Sequence, residues 1–180
     1  MSYTFQFNII FAHWPGLVHG ALLSLLLALA GFWIGAPFAL VLAAIRTSGP
    51  LWLRRIAGIY VVFITNTPVL IHIYFLFFGL PELGIRLDKY WTVIAALVMA
   101  TAAYGCGIMR GGFLSVRRSE IEAAETLGFS RPQTVLYVIV PHIVKTIYPA
   151  LANYFIVLAL STSMAKIIGG TPFGRGDALI

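Results

Sequence analysis

The chain has 180 residues, of which 60% are apolar and 10% charged, against about 45–50% and about 25% in an ordinary soluble domain. So few charged side chains cannot cover a compact soluble fold, and with 14% aromatic residues disorder and coiled coil are excluded too, which leaves an integral membrane protein. The lone Cys106 excludes an internal disulfide framework or a cysteine-cluster metal site, and the net charge of +6 reads as basic cytoplasmic loops rather than a nucleic-acid surface.

The first sixteen residues carry no Lys or Arg, and the apolar run that follows is far longer than the roughly 7–15 residues of a signal-peptide core, so the first span is expected to stay in the mature protein. Residues 17–45 contain no Asp, Glu, Lys or Arg. At about 1.5 Å per residue they exceed the roughly 30 Å hydrocarbon thickness, so this helix is predicted to tilt, project or kink, with Gly31, Gly35 and Pro37 as the place to kink. A second charge-free run covers residues 56–81 and is interrupted by Asn66, Thr67, Pro68 and His72. A third covers residues 90–109, with Tyr90 and Trp91 as an interfacial anchor, and a fourth covers residues 146–165. Polar residues inside these runs are costly against lipid and are expected to face protein or a water-filled path. The pattern predicts one all-α domain over residues 1–180, a polytopic transmembrane bundle of about four spanning helices.

With the N-terminus outside, the inner segments hold Arg46, Arg54, Arg55, Arg110, Arg117, Arg118, Arg131 and Lys145, and the outer ones hold Arg86, Lys89, Lys166 and Arg175. Eight basic residues against four favour that orientation. Residues 110–145 then form a cytoplasmic loop with two helix-start signatures, Ser119 with Glu122 and Ser130 with Gln133. Gly128 stands where a helix needs a left-handed terminating residue, and Pro132 falls in a first turn, where its missing N–H is no loss. Two short helices are expected to meet at Gly128.

Within this loop, Glu122-Ala123-Ala124, then Gly128, then Val138, Val140 and Pro141 resemble the EAA signature of ABC-type import permeases, EAA-x3-G-x9-I-x-L-P, with Val in place of Ile and Leu. The resemblance extends to the polar amino-acid branch of that family. Thr67-Pro68-Val69-Leu70 leading into residues 74–81, Arg110-Gly111-Gly112, and residues 153–169 each look like that branch's segments. The resemblance implies a bacterial inner-membrane, multi-pass half-transporter that pairs with a second permease subunit in a homo- or heterodimer. It also implies a cytoplasmic ATP-binding subunit that seats the EAA helix, and an extracytoplasmic solute-binding protein that delivers a polar amino acid. Under it, Glu122 is the charged face of the coupling helix, Ala123 and Ala124 the small surface, Gly128 the hinge or cap, and Pro141 the end of the motif. A capping role alone is the alternative for Glu122. These permeases usually carry one more C-terminal span than the sequence contains.

The chain departs from that branch at Thr65-Asn66, Gly107 and Leu160-Ser161, where charged residues are common, so the membrane interior carries less charge. Asn66, Thr67, Pro68, Tyr104, Asn153, Thr162 and Ser163 are candidates for lining the substrate path, although hydroxyls and amides also serve as interhelical glue. His72 and His142 read as helix-packing histidines rather than metal ligands, and no cofactor or metal is expected. Ser24, Ser115 and Cys106 lack a His and an acid at a motif spacing, and no P-loop pattern occurs, so no enzymatic activity is expected and ATP would be hydrolysed by another subunit. The function expected is a permease subunit working by alternating access. The alternative is a truncated, non-transporting assembly protein or a small helical channel, which the intact EAA pattern opposes.

Overall fold

The computed structural model describes residues 14–162, all of whose regular elements are helices. In chain order they are α1 (Trp14–Ser48), α2 (Leu51–Thr65), α3 (Val69–Glu82), α4 (Lys89–Ser115), α5 (Arg118–Thr126) and α6 (Arg131–Ser161). Helices α1, α4 and α6 are each long and apolar enough to cross a membrane, and α2 and α3 together make a fourth crossing bent by 100° at Asn66–Pro68. The run that reads as one span is thus two helices. Pro68 disfavours a helical residue before it, and Thr65, Asn66 and Thr67 turn their side chains back onto the carbonyls of Val61, Val62 and Phe63 at 2.7, 2.7 and 2.8 Å; the Thr67 N–H itself turns to Ile64 O, so the Thr67 hydroxyl takes up the Phe63 carbonyl freed at the break.

Helix α4 is the central post. It packs against α1, α2, α3 and α6, and 61% of its apolar window is buried, against 28% for α1 and 11% for α6. Most of α6 therefore turns its apolar surface outward, towards lipid or another subunit. At the start of α4, Asp88 accepts from the Tyr90 N–H at 3.1 Å, and Tyr90 and Trp91 lie exposed just inside the helix.

Helix α1 continues through Pro37 without interruption, and Gly31 and Gly35 form a packing face. With Ala39 and Ala43 they repeat every four residues along the buried side of α1, the small-residue spacing that lets membrane helices approach closely. A methyl group at Gly31 would lie 2.5 Å from Leu97 Cβ, and one at Gly35 would lie 2.6 Å from Thr101 Cβ. Two core clusters result, one around Leu27, Ile73, Val93, Leu97 and Leu158, the other around Ala43, Val61, Ile64, Ala103 and Cys106.

Helices α3 and α6 each contain one widened π turn, over Phe75–Gly79 and over Val135–Ile139. In both cases a proline follows two residues later, Pro81 and Pro141. A regular turn would drive the proline ring into the carbonyl four residues earlier, that of Phe77 or Tyr137. Widening moves that carbonyl aside, and the N–H groups of Leu80 and Val140 bond five residues back to Phe75 O and Val135 O. The second helix expected within residues 110–145 is therefore not short: it runs through its π turn into the last span.

Candidate functional site

A cleft of about 430 Å³ opens between α4 and α6, closed on one side by Val69 of α3. Ile108, Ala150, Val157 and Leu158 give it apolar walls, and Tyr104, Asn153, Tyr154 and Ser161 give it polar points. Tyr104 and Tyr154 stack with centroids 5.5 Å apart and planes at 26°. Each hydroxyl is anchored: Tyr104 donates to Thr65 O at 3.0 Å, across the break in the second crossing, and Tyr154 donates to Thr101 Oγ1 at 3.4 Å. The rings are thereby held as a wall beside Asn153.

Of the residues proposed from sequence for a substrate path, the cleft brings together Tyr104 and Asn153. Asn66 and Thr67 use their side chains to cap α2, Pro68 is exposed at the bend, and Thr162 is buried with its hydroxyl donating to Ala159 O at 2.6 Å. Ser163 lies outside the described residues. Tyr154 and Ser161 were not among the residues proposed for the path, although Ser161 is one of the departures from the amino-acid branch; Tyr154 stands next to Asn153, but only the stack on Tyr104 reveals its direction. Among the described residues no group of three or more His, Cys, Asp or Glu side chains gathers as a metal would require. His72 is buried against Phe63, but both its ring nitrogens lack a hydrogen-bond partner.

At the other end of α4 and α6 stands the elbow around α5, which carries the EAA pattern. Helix α5 begins at Arg118 after Arg117 in an extended conformation, so Ser119 falls inside the helix and the Ser119–Glu122 box does not form. Glu122 instead accepts from Arg118 Nε at 2.9 Å, an exposed pair one turn apart of the kind that adds little stability. Its carboxylate faces solvent. Ala123 is exposed, whereas Ala124 is only 3% exposed and packs inward. Gly128 ends the helix at φ +79°, with its N–H on Glu125 O at 2.9 Å and the Phe129 N–H on Ala124 O at 3.1 Å. Those two bonds are the Schellman pattern. The second box does form: Gln133 Oε1 accepts from the Ser130 N–H at 2.8 Å as α6 starts. His142 of α6 also comes within hydrogen-bond reach of both Ser115 of α4 and Glu120 of α5, a grouping that no linear spacing announces.

Residues 35–178 match the family model described as the binding-protein-dependent transport system inner membrane component. The chain belongs to that family. It is 35% identical over 161 residues to the octopine transport system permease protein OccM of Rhizobium radiobacter, covering 84% of this chain and 66% of that protein. It is 31% identical over 170 residues to the probable glutamine ABC transporter permease protein GlnM of Bacillus subtilis, covering 94% and 77%. The L-cystine transport system permease protein TcyB of Bacillus subtilis is 32% identical over 155 residues, with 86% and 66% covered. The chain thus spans just under two thirds of the length of the octopine and cystine relatives. Among solved structures, one titled an amino acid ABC transporter with histidines matches with a TM-score of 0.82 at 29% identity, over 93% of this chain and 78% of that one. The family and the all-helical fold agree with the resemblance carried by the EAA pattern, and an inner-membrane, multi-pass protein is consistent with both.

Proposed function

We propose that this permease is the membrane subunit of an ATP-driven importer for a polar amino acid, coupled to a separate cytoplasmic ATPase and supplied by an extracytoplasmic binding protein. One observation carries the reading: the two helices that wall the cleft, α4 and α6, are the two that flank the coupling helix α5. Movement at the elbow is therefore movement of the cleft walls. The relatives named for octopine, glutamine and cystine support an amino acid as the cargo, and the Tyr104–Tyr154 wall with Asn153 offers hydrogen bonds beside an aromatic face. The outward apolar face of α6 fits a second permease subunit. Basic residues cluster where α5 lies, which supports an N-terminus outside and α5 in the cytoplasm.

Function is tested by reconstituting the full permease with its ATPase and binding protein in proteoliposomes. ATP-dependent uptake of at least one labelled polar amino acid from a panel is expected. An assembled complex that hydrolyses ATP but takes up none of the panel would refute the cargo class, and a permease that recruits no ATPase would refute the reading as a whole.

A further inference from the structure

Ser115 closes α4, Glu120 sits in the first turn of α5, and His142 follows the π turn of α6. His142 Nδ1 lies 3.1 Å from Glu120 Oε2, and His142 Nε2 lies 3.2 Å from Ser115 Oγ, which itself contacts Gly112 O at 2.8 Å. The side chains of His142 and Glu120 are 29% and 32% exposed, whereas those of the neighbouring Arg118–Glu122 pair are 92% and 60% exposed. Only the first pair is shielded enough by the protein to hold a fixed geometry.

Counting donors explains the choice of side chains. Glu120 can only accept, so Nδ1 must carry a hydrogen. If Nε2 also carries one, it donates to Ser115 Oγ and the serine hydroxyl donates to Gly112 O. If Nε2 is bare, the hydroxyl turns and donates to it. Serine serves both cases, so the three-way link holds in either charge state of the ring.

The position of the link matters as much as its bonds. A side chain at Gly112 would collide with Ile147, and its Cβ would lie 3.1 Å from Ile143 Cγ2, so α4 and α6 cross closely here. Tyr104 stands eleven residues before Ser115 on α4, and Asn153 eleven after His142 on α6, about 16 Å from the link along each helix. Besides the inward packing of Ala124 and its contact with the first turns of α6, which is apolar and can slide, α5 is joined to these helices through two backbone connections, at Val116–Arg117 and around Gly128, either of which could turn and absorb its movement.

We propose that His142, with Glu120 and Ser115, is a positioning residue that ties α5 to the crossing of α4 and α6, so that displacement of α5 reaches both walls of the cleft at once. The proposal rests on reading α5 as the coupling helix.

The test uses the full permease with its ATPase and binding protein in lipid discs, reading co-purification and ATPase stimulation by loaded binding protein. His142→Leu should keep assembly and lose stimulation about tenfold or more, the factor attached to a hydrogen bond with a charged partner. His142→Gln should restore most of it, because its amide nitrogen can donate to Glu120 and its oxygen can accept from Ser115. The double variant Glu120→Ala with His142→Leu should be no worse than His142→Leu alone. Stimulation by His142→Leu within about twofold of wild type, with Gly128→Val uncoupled in parallel, overturns the tie and leaves the coupling reading standing. If Gly128→Val also stays coupled, the coupling reading fails with it. Equal loss in the Gln and Leu variants, or additive loss in the double, means that the imidazole merely packs, and also overturns the tie. Should His142→Leu not accumulate, Glu120→Ala, which leaves the ring in place, is judged by the same thresholds.

Discussion

Gly128 offers the cleanest perturbation of the coupling elbow. Its φ of +79° lies in the left-handed region, and a Cβ added there meets nothing within 4 Å. The Cβ of a substituted residue therefore adds backbone strain and no clash of its own. For an L-residue that strain is about 1–2 kcal/mol, a factor of roughly 5–30 in the balance between the capped and uncapped elbow. Opening the cap breaks the bonds from the Gly128 and Phe129 N–H groups and frees the direction of α5. With nine residues that helix is about 13 Å long, so each 10° of misdirection moves its far end by about 2 Å, enough to miss a fitted cleft. The assay compares Gly128→Asn, Gly128→Ala and Gly128→Val for abundance in the membrane and for ATPase stimulation by loaded binding protein. Abundance should hold in all three. Stimulation should fall from wild type through Asn, which tolerates positive φ best, to Ala and then Val. Full stimulation and uptake in Gly128→Val would refute the reasoning, and so would an Asn variant as damaged as the Val one.

Three further expectations concern the membrane part. Gly35→Leu should lower abundance and thermal stability by about 1–3 kcal/mol through overpacking, because its Cβ would press on Thr101 and lie 3.0 Å from Val98 O; Gly58→Leu, with nothing within 4 Å, is the control and should not. Tyr104→Phe removes the bond to Thr65 O but keeps the stack, so it should raise the KM for uptake several-fold, for the roughly 1 kcal/mol of one hydrogen bond, with assembly unchanged; an unaltered KM would remove the hydroxyl from the account of the cleft. Cysteines placed at Ser119 and Glu82 in a Cys106→Ser background should label with an impermeant thiol reagent in opposite patterns, with Glu82 labelled in intact cells. Labelling of Ser119 from outside would invert the orientation.

The crossings were legible because their signal is compositional: a charge-free run long enough to span needs no partner to be recognised. The Gly128 cap was legible for a similar reason, since its bonds close within six residues. The Ser119–Glu122 box misled because the motif specifies spacing and not phase. The helix starts at Arg118 rather than Glu120, and that two-residue offset turns Glu122 from a cap into the partner of Arg118. Gly31 and Gly35 were legible only as small residues, because what gives them their packing role is Leu97 and Thr101, on a helix more than sixty residues away in sequence. Glu120, His142 and Ser115 lay beyond sequence reasoning altogether, because each is unremarkable on its own helix and the grouping exists only once α4 and α6 cross.

The proline that ends the EAA pattern takes on a further meaning from the π turn before it. A π turn holds one residue more than an α turn, so everything after it is rotated by about 100° relative to an unbroken helix. In α6 the part fixed at the elbow lies before that surplus residue, and His142, Asn153 and Tyr154 lie after it. Pro141 thus acts as an angular index mark. By keeping the surplus residue in place, it sets the azimuth at which α6 presents His142 to Ser115 and, about three turns beyond, Asn153 and Tyr154 to the cleft. Were the surplus residue lost, the helix would keep its length to within one step and its hydrophobicity entirely, yet show the bundle a different face.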